Sequence, residues 1–332
     1  MKILVVQIGR YGDMILTTPL FRALRDTYPG AEIHVLASQR NFNILEGLDC
    51  VDTVHVYVKT PVDLVKLVAD LRAMDFDLLI DPKDHSSKEG SLIARLVGAK
   101  ESVGYNHPPK NLYTHSLPSA QENDAVIPPV HAIDRNLKAL EVMGHSVVRH
   151  MPVVAIKDSA VAYTMKFVPE EQERPLRLLL NISVGQPERE WPAEKWVELG
   201  KLLTQEYRRV VVMAAPPDHA RAADIVAKIG SPARAFLARD IHDTVAIIHR
   251  GDILVSCDSA PVHIASALNT PLVGIFNSIL WNSYKFHPLS SLHRIVQPEV
   301  SITELSRIPI VSVFQATKEL IKEYLHSQRS VL

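Results

Sequence analysis

The chain is poor in the residues that would make it a stapled, metal-built or membrane-spanning protein. It has two cysteines in 332 residues, Cys50 and Cys257. Two are too few for a disulfide framework and cannot form a four-ligand metal site by themselves. Neither charge dominates: 36 Lys plus Arg stand against 37 Asp plus Glu, a formal net charge of −1. That is no footprint for a general nucleic-acid binder, whose affinity rests on neutralising phosphates. No apolar run reaches the roughly 18 residues of a membrane span. The chain opens on a strand-like run, Lys2 to Ile8, without a basic region, long apolar region and cleavage site in order. Secretion is therefore not expected, and a cytoplasmic location is. The rest of the composition, 47% apolar and 22% charged, excludes wholesale disorder and fibrous sequence. At roughly 150 residues per domain the length suggests two domains.

Short apolar runs rich in β-branched residues alternate with longer amphipathic stretches. Ile3–Ile8, Ile33–Ala37, Val54–Val58 and Leu78–Ile80 read as strands, and helices are expected from about Gly12 to Thr27 and over Pro61–Ala73. The plan then repeats without a clear sequence repeat. Strands are expected at Leu176–Ile182, Val210–Ala214, Ile253–Cys257 and Pro271–Phe276. Helices are expected at Pro192–Glu206, Pro217–Ile229, Thr244–His249, Pro261–Leu268 and Val311–Leu325. Such alternation argues for parallel β-α-β units. The polar stretch from Ile156 to Pro175 reads as a linker. Two doubly wound sheets should then present their carboxyl edges to each other across a cleft, because open α/β sheets bind ligands there.

Three loops carry chemistry. Gly9-Arg10-Tyr11-Gly12-Asp13 follows the first strand; it is neither a dinucleotide fingerprint nor a phosphate loop of the Lys-Ser/Thr type. Asp13 is placed to act as a general base or to cap its helix, the commoner role of Asp at a helix start. Cys257-Asp258-Ser259-Ala260-Pro261-Val262-His263 runs from a strand into a helix with Pro261 at its first turn. Free N–H groups of Ser259, Ala260 and Val262 would hold an anion such as pyrophosphate, while Asp258 or Ser259 as a plain N-cap fits the pattern equally. Pro187-Glu188-Arg189-Glu190-Trp191-Pro192 places Arg189 where a cation offsets charge on a departing phosphate; the alternative is a surface pair with Glu188 or Glu190. His107, His115 and His131 lack metal-ligand spacing.

Together these segments resemble the ADP-heptose–lipopolysaccharide heptosyltransferases, an inverting glycosyltransferase family (glycosyltransferase family 9). The likeness runs in order from Lys2-Ile3-Leu4-Val5-Val6 and Gly12-Asp13-Met14-Ile15-Leu16-Thr17-Thr18-Pro19-Leu20, through Gly104-Tyr105, Leu112-Tyr113-Thr114-His115 and His131-Ala132-Ile133-Asp134-Arg135-Asn136-Leu137. It continues into the Arg189 loop and Asp258-Ser259-Ala260-Pro261-Val262-His263. The resemblance implies an α/β GT-B fold, two Rossmann-like domains facing across a cleft. Residues 1–160 would bind the acceptor, 175–310 the nucleotide sugar, and a C-terminal helix at 311–332 would pack back on the N-terminal domain. It implies that Asp13 deprotonates the acceptor, Asp258 holds heptose hydroxyls, the Ser259–His263 segment binds pyrophosphate and Arg189 stabilises the ADP leaving group. The chain departs from the family's pattern at Arg189, where Lys is usual, at Ala260, where Gly is common, and at Ser183-Val184-Gly185.

Further donor contacts are expected from Ser183, Gly185, Asp218 and Ile241, with Arg239 and Asp240 as weaker candidates. Asp218 also fits a helix cap. Acceptor contacts are expected from Arg10, Gly12, Lys83, His85 and Lys88, with Lys110 beside them. No metal and no cofactor beyond the ADP-sugar donor are expected. The partners would be ADP-heptose and a lipopolysaccharide core or lipid A-linked acceptor, with no nucleic acid and at most peripheral contact with the inner membrane. The competing readings are a GT-B transferase using another nucleotide sugar, a sugar-nucleotide epimerase, and a non-catalytic nucleotide-binding protein.

Overall fold

The computed structural model describes residues 1–85, 87–107, 111–169, 175–299 and 302–329. Lys110 lies outside them, as do Glu170, Glu171, Glu173 and Arg174 of the expected linker. The chain divides into two compact units, Met1–Val153 and Val154–Leu332.

The first unit runs β1 (Lys2–Gln7), α1 (Tyr11–Thr27), β2 (Glu32–Ser38), β3 (Thr53–Tyr57), α2 (Pro61–Ala73), β4 (Leu78–Ile80), α3 (Lys88–Val97), β5 (Glu101–Gly104), β6 (His115–Ser116), α4 (Ala120–Ala125) and α5 (Ala132–Glu141). All six strands pair in parallel in the order β3-β2-β1-β4-β5-β6. Strand β1 sits mid-sheet with helices over both faces, which is why Ile3–Val6 shows no polar alternation. Leu71 of α2 and Ile93, Ala94 and Val97 of α3 share one core with Leu4, Val6, Leu36 and Leu79 of the sheet, while α1 packs with α5. Pro19 lies inside α1, and its ring leaves the Ile15 carbonyl without its helical N–H. The Thr18 hydroxyl replaces that donor at 2.7 Å, so the helix continues.

The second unit runs α6 (Asp158–Thr164), β7 (Arg177–Asn181), α7 (Ala193–Glu206), β8 (Arg209–Ala214), α8 (His219–Ile229), β9 (Arg234–Leu237), α9 (Ile241–Arg250), β10 (Ile253–Cys257), α10 (Ala260–Leu268), β11 (Leu272–Ile275), α11 (Leu280–Lys285), β12 (His293–Val296) and α12 (Ile310–Arg329). Its parallel sheet has the order β12-β11-β10-β7-β8-β9. Counted from β7 this repeats the first unit's order, so both are doubly wound Rossmann-type units. No described helix is long and apolar enough to cross a membrane.

Three expectations are corrected. The stretch read as a linker contains α6, which packs on α9 with Ala160, Thr164 and Val168 buried. Its polar residues misled because they cover a short amphipathic helix. The C-terminal helix packs on β11, β12 and α7 of its own unit and gives Val313, Leu320 and Ile321 to that unit's core. The helix expected at Thr244–His249 begins at Ile241, because Asp240 caps it through the N–H groups of His242 and Asp243 at 2.9 and 3.1 Å.

Candidate functional site

Strand order reverses between β1 and β4 in the first unit and between β7 and β10 in the second. The loops that leave these strands at their carboxyl ends are where such sheets bind ligands, and the motif residues sit on them.

In the first unit the loop after β1 is tied down by β2: Ser38 Oγ donates to the Gly9 carbonyl at 3.2 Å and Asn41 Nδ2 to that of Gln7 at 3.0 Å. Asp13 stands in the first turn of α1, where its Oδ2 accepts from the Arg10 N–H at 3.1 Å. One oxygen therefore caps the helix. The other, Oδ1, has no hydrogen bond among the described residues, and the side chain is half-buried. A Cβ at Gly9 would stand 2.9 Å from Asp13 Oδ2, so only glycine lets the carboxylate lie against this loop. Gly12 is in the same turn, and the Arg10 side chain is exposed.

The loop after β4 brings Lys83 alongside: its Nζ lies 3.5 Å from the Ile8 carbonyl at the end of β1 and 3.5 Å from Ser87 Oγ. Asp81 is buried and accepts from the Tyr113 hydroxyl at 3.0 Å. Burial raises its pKa above the ordinary value, and the same burial together with the Asp81 charge raises that of Tyr113. Asp84 is held by Arg135 Nη1 at 2.6 Å, both side chains buried; its Oδ1 lies 3.1 Å from His85 Nδ1. This explains why Arg135 belongs to the motif His131–Leu137. His85 and Lys88 are exposed at the rim and make no contact with Asp13.

In the second unit the expected anion site is built differently from a capped helix. Ser259 occupies the N-cap position of α10 but makes no capping bond; its hydroxyl donates back to the Cys257 carbonyl at 3.0 Å. Asp258, also available as a cap, turns to Arg189, whose Nη1 is 2.7 Å from Oδ2. Asn282 of α11 closes the cluster: its Nδ2 donates to Asp258 Oδ2 at 3.0 Å and its Oδ1 stands 3.4 Å from Arg189 Nη2. The capping reading of Ser259 is thus excluded, Asp258 Oδ2 is committed to Arg189 and Asn282, and Arg189 pairs with Asp258 in place of Glu190. Glu190 pairs instead with Arg221, which also donates to the Ile182 carbonyl and lies 3.3 Å from Asp218. One detail of the anion site is corrected: the Val262 N–H is not free but donates to the Ser259 carbonyl at 3.0 Å.

Asn181 Nδ2 ties the two loops, donating to the Ser183 carbonyl at 2.9 Å and to Ser256 and Ser259 Oγ at 3.0 and 3.3 Å. Ser183 Oγ accepts from the Ala215 N–H at 2.9 Å; Gly185 is exposed. Asp218 holds the N-cap position of α8 without making a capping bond, its partner being Arg221. Ile241 is buried in the first turn of α9, beyond β9. These two share the sheet edge with Asp258 but lie apart from its cluster. Arg239 is committed to structure: it forks onto Asp243 at 2.7 and 2.7 Å and lies over the Tyr163 ring at 3.8 Å. His263 is buried. Burial, then the charges of Arg189 and His287, lowers its pKa to about 3, so it is neutral near pH 7. Sequence reasoning missed Asn282, Asn181, Tyr113 and Arg221. Of these only Tyr113 carried a signal, as part of Leu112–His115.

Two doubly wound Rossmann-type units in one chain are the plan of the GT-B fold. The sequence model of glycosyltransferase family 9 (heptosyltransferase) matches residues 64–303, well over half the chain, and the protein belongs to that family. Lipopolysaccharide heptosyltransferase 3 of Escherichia coli strain K12 is 25% identical over 357 residues, covering 94% of this chain and 96% of the relative. Among solved structures, the glycosyl transferase family 9 protein from Veillonella parvula superposes with a TM-score of 0.81 at 18% identity over 97% of each chain. The E. coli ADP-heptose lipopolysaccharide heptosyltransferase II does so at 0.78 and 21%, over 99% of this chain and 100% of that one.

Proposed function

We propose that the protein transfers a heptose from ADP-heptose to a lipopolysaccharide inner-core acceptor with inversion at the anomeric carbon. The observation that carries the donor half is the start of α10. Its N-cap residue Ser259 makes no capping bond, its hydroxyl being turned back to the Cys257 carbonyl, and Asp258 Oδ2 is drawn to Arg189. A helix start left in that state attracts an anion through its N–H groups and dipole. Arg189, fixed by Asp258 and Asn282, adds the cation that meets charge on the departing diphosphate.

The acceptor hydroxyl attacks from the face opposite ADP, and Asp13 takes its proton through the oxygen not engaged by the Arg10 N–H. Lys83 and, at the rim, Arg10, His85 and Lys88 receive acidic groups of the acceptor. Ser183, Gly185, Asp218 and Ile241 lie along the edge that takes the nucleoside, and Asp258 meets sugar hydroxyls when the donor is bound. The charge balance requires no metal, so turnover should persist in EDTA.

The names of the relatives support heptose as the sugar and a lipopolysaccharide as the acceptor. A mass-spectrometric donor screen tests the reading. Turnover of ADP-heptose is expected; turnover of UDP-hexoses alone assigns another transferase, and release of a free epimerised sugar nucleotide without an acceptor assigns an epimerase.

A further inference from the structure

The outward faces of α2 and α3 carry large apolar side chains among their charges. The two helices pack side by side on one face of the first sheet. Their inner faces carry Leu64, Leu67 and Leu71, and Ile93, Ala94 and Val97. One helical turn round, on the solvent side, stand Val62 and Val65 of α2, 79% and 71% exposed, and Leu92 and Leu96 of α3, 44% and 37% exposed. Single exposed apolar residues need no explanation; a cluster on two adjoining helices marks an interaction surface.

The charges on these faces say what covers it. Lys66, Arg72, Lys88 and Arg95 are exposed and form no ion pair among the described residues. Only one of the three acids on these helices is neutralised locally. Glu89 pairs with Lys59 at 2.8 Å, and Asp63 accepts from the Thr60 hydroxyl at the start of α2. Asp63 and Asp70 are both exposed and without an ion pair among the described residues, so four unpaired cations face two unpaired acids. An apolar cluster with this positive margin complements an anionic lipid surface, whereas a second copy laid on the same face would set cation against cation. Both helices start at the carboxyl edge of the sheet, the edge that carries Asp13 and Lys83, so the face is continuous with the acceptor rim.

We propose that the outward face of α2 and α3, built on Val62, Val65, Leu92 and Leu96 and framed by Lys66, Arg72, Lys88 and Arg95, docks the first unit on an anionic bilayer. This deepens the proposed function and rests on it in one respect, that the acceptor is lipid-linked.

The test is co-sedimentation of the full chain, without acceptor, with vesicles of phosphatidylglycerol and phosphatidylcholine in equal parts, against phosphatidylcholine alone. Binding to the anionic vesicles only is expected. Lys66→Glu with Arg95→Glu should weaken it about tenfold or more, and Val65→Asp with Leu92→Asp should abolish it. All four side chains are exposed, so neither double variant opens the core, and both should keep the wild-type rate on a deacylated, water-soluble acceptor. Anionic-vesicle binding that is absent, or that survives both double variants, overturns the proposal. So does light scattering that shows a dimer dispersed by Val65→Asp with Leu92→Asp. Failure of the wild-type chain to use the deacylated acceptor counts instead against the transferase reading and leaves the vesicle result standing.

Discussion

In the proposed reaction the Asp13 carboxylate serves two ends. Its Oδ2 closes the first turn of α1 through the Arg10 N–H, and its Oδ1 is the atom proposed to take the proton. Asp13→Asn keeps the shape and removes the base. The expected result is a fall in kcat of about 10²–10⁴-fold with ADP affinity unchanged, read by steady-state kinetics and calorimetry; an unaltered kcat removes Asp13 from the chemistry. His263 makes a different kind of prediction. Burial holds its folded pKa near 3, below the ordinary value of 6.5. Between those two values the unfolded chain binds a proton that the native chain refuses, so stability rises with pH there and is lost as pH falls from about 6.5 towards 3. Urea titrations across that window should show a shallower pH dependence in His263→Gln than in the wild type. Equal slopes would place the acid sensitivity elsewhere.

Elements were legible in proportion to how cleanly burial writes a period into the sequence. Strands β1, β4, β7, β8 and β10 lie inside parallel sheets covered on both faces, and such strands read as unbroken apolar runs bounded by turns. Strands β5, β6, β9 and β12 went unrecognised because they are short and polar residues make up part or all of each; β6 is two residues long, and no periodicity exists over two residues. Helix α5 was not read as a helix; its residues entered only as a segment resembling the family. Helix α1 carries its own prediction. Thr18 Oγ1 both donates to the Ile15 carbonyl freed by Pro19 and accepts from the Val153 N–H at 2.9 Å. Thr18→Val keeps the volume but strands two buried polar groups, which should cost about 1–3 kcal/mol in chemical denaturation. A loss close to zero would mean the Pro19 turn is satisfied in another way.

Across the whole molecule, two units with the same strand order each keep their polar cluster within their own sheet edge. If the second unit holds the nucleotide, ADP should slow amide exchange at residues 183–190 and 257–263 and leave residues 9–13 as they were. Protection confined to residues 9–13 would reverse the assignment of the two units. The architecture could be read early because parallel β-α-β chains distribute apolar residues in a pattern few other folds produce. Membership of the family was likewise carried by ordered motifs spread over nearly the full length. Contacts between loops distant in sequence were another matter. Spacing alone offered Arg189 a neighbour in Glu190 and offered Asp258 a capping role; folding gave Glu190 to Arg221 and Asp258 to Arg189. Charge pairing follows distance and dielectric in three dimensions, and neither is written along the chain. The same holds for protonation: that His263 is neutral follows from the core closed around it, which no local stretch of residues encodes.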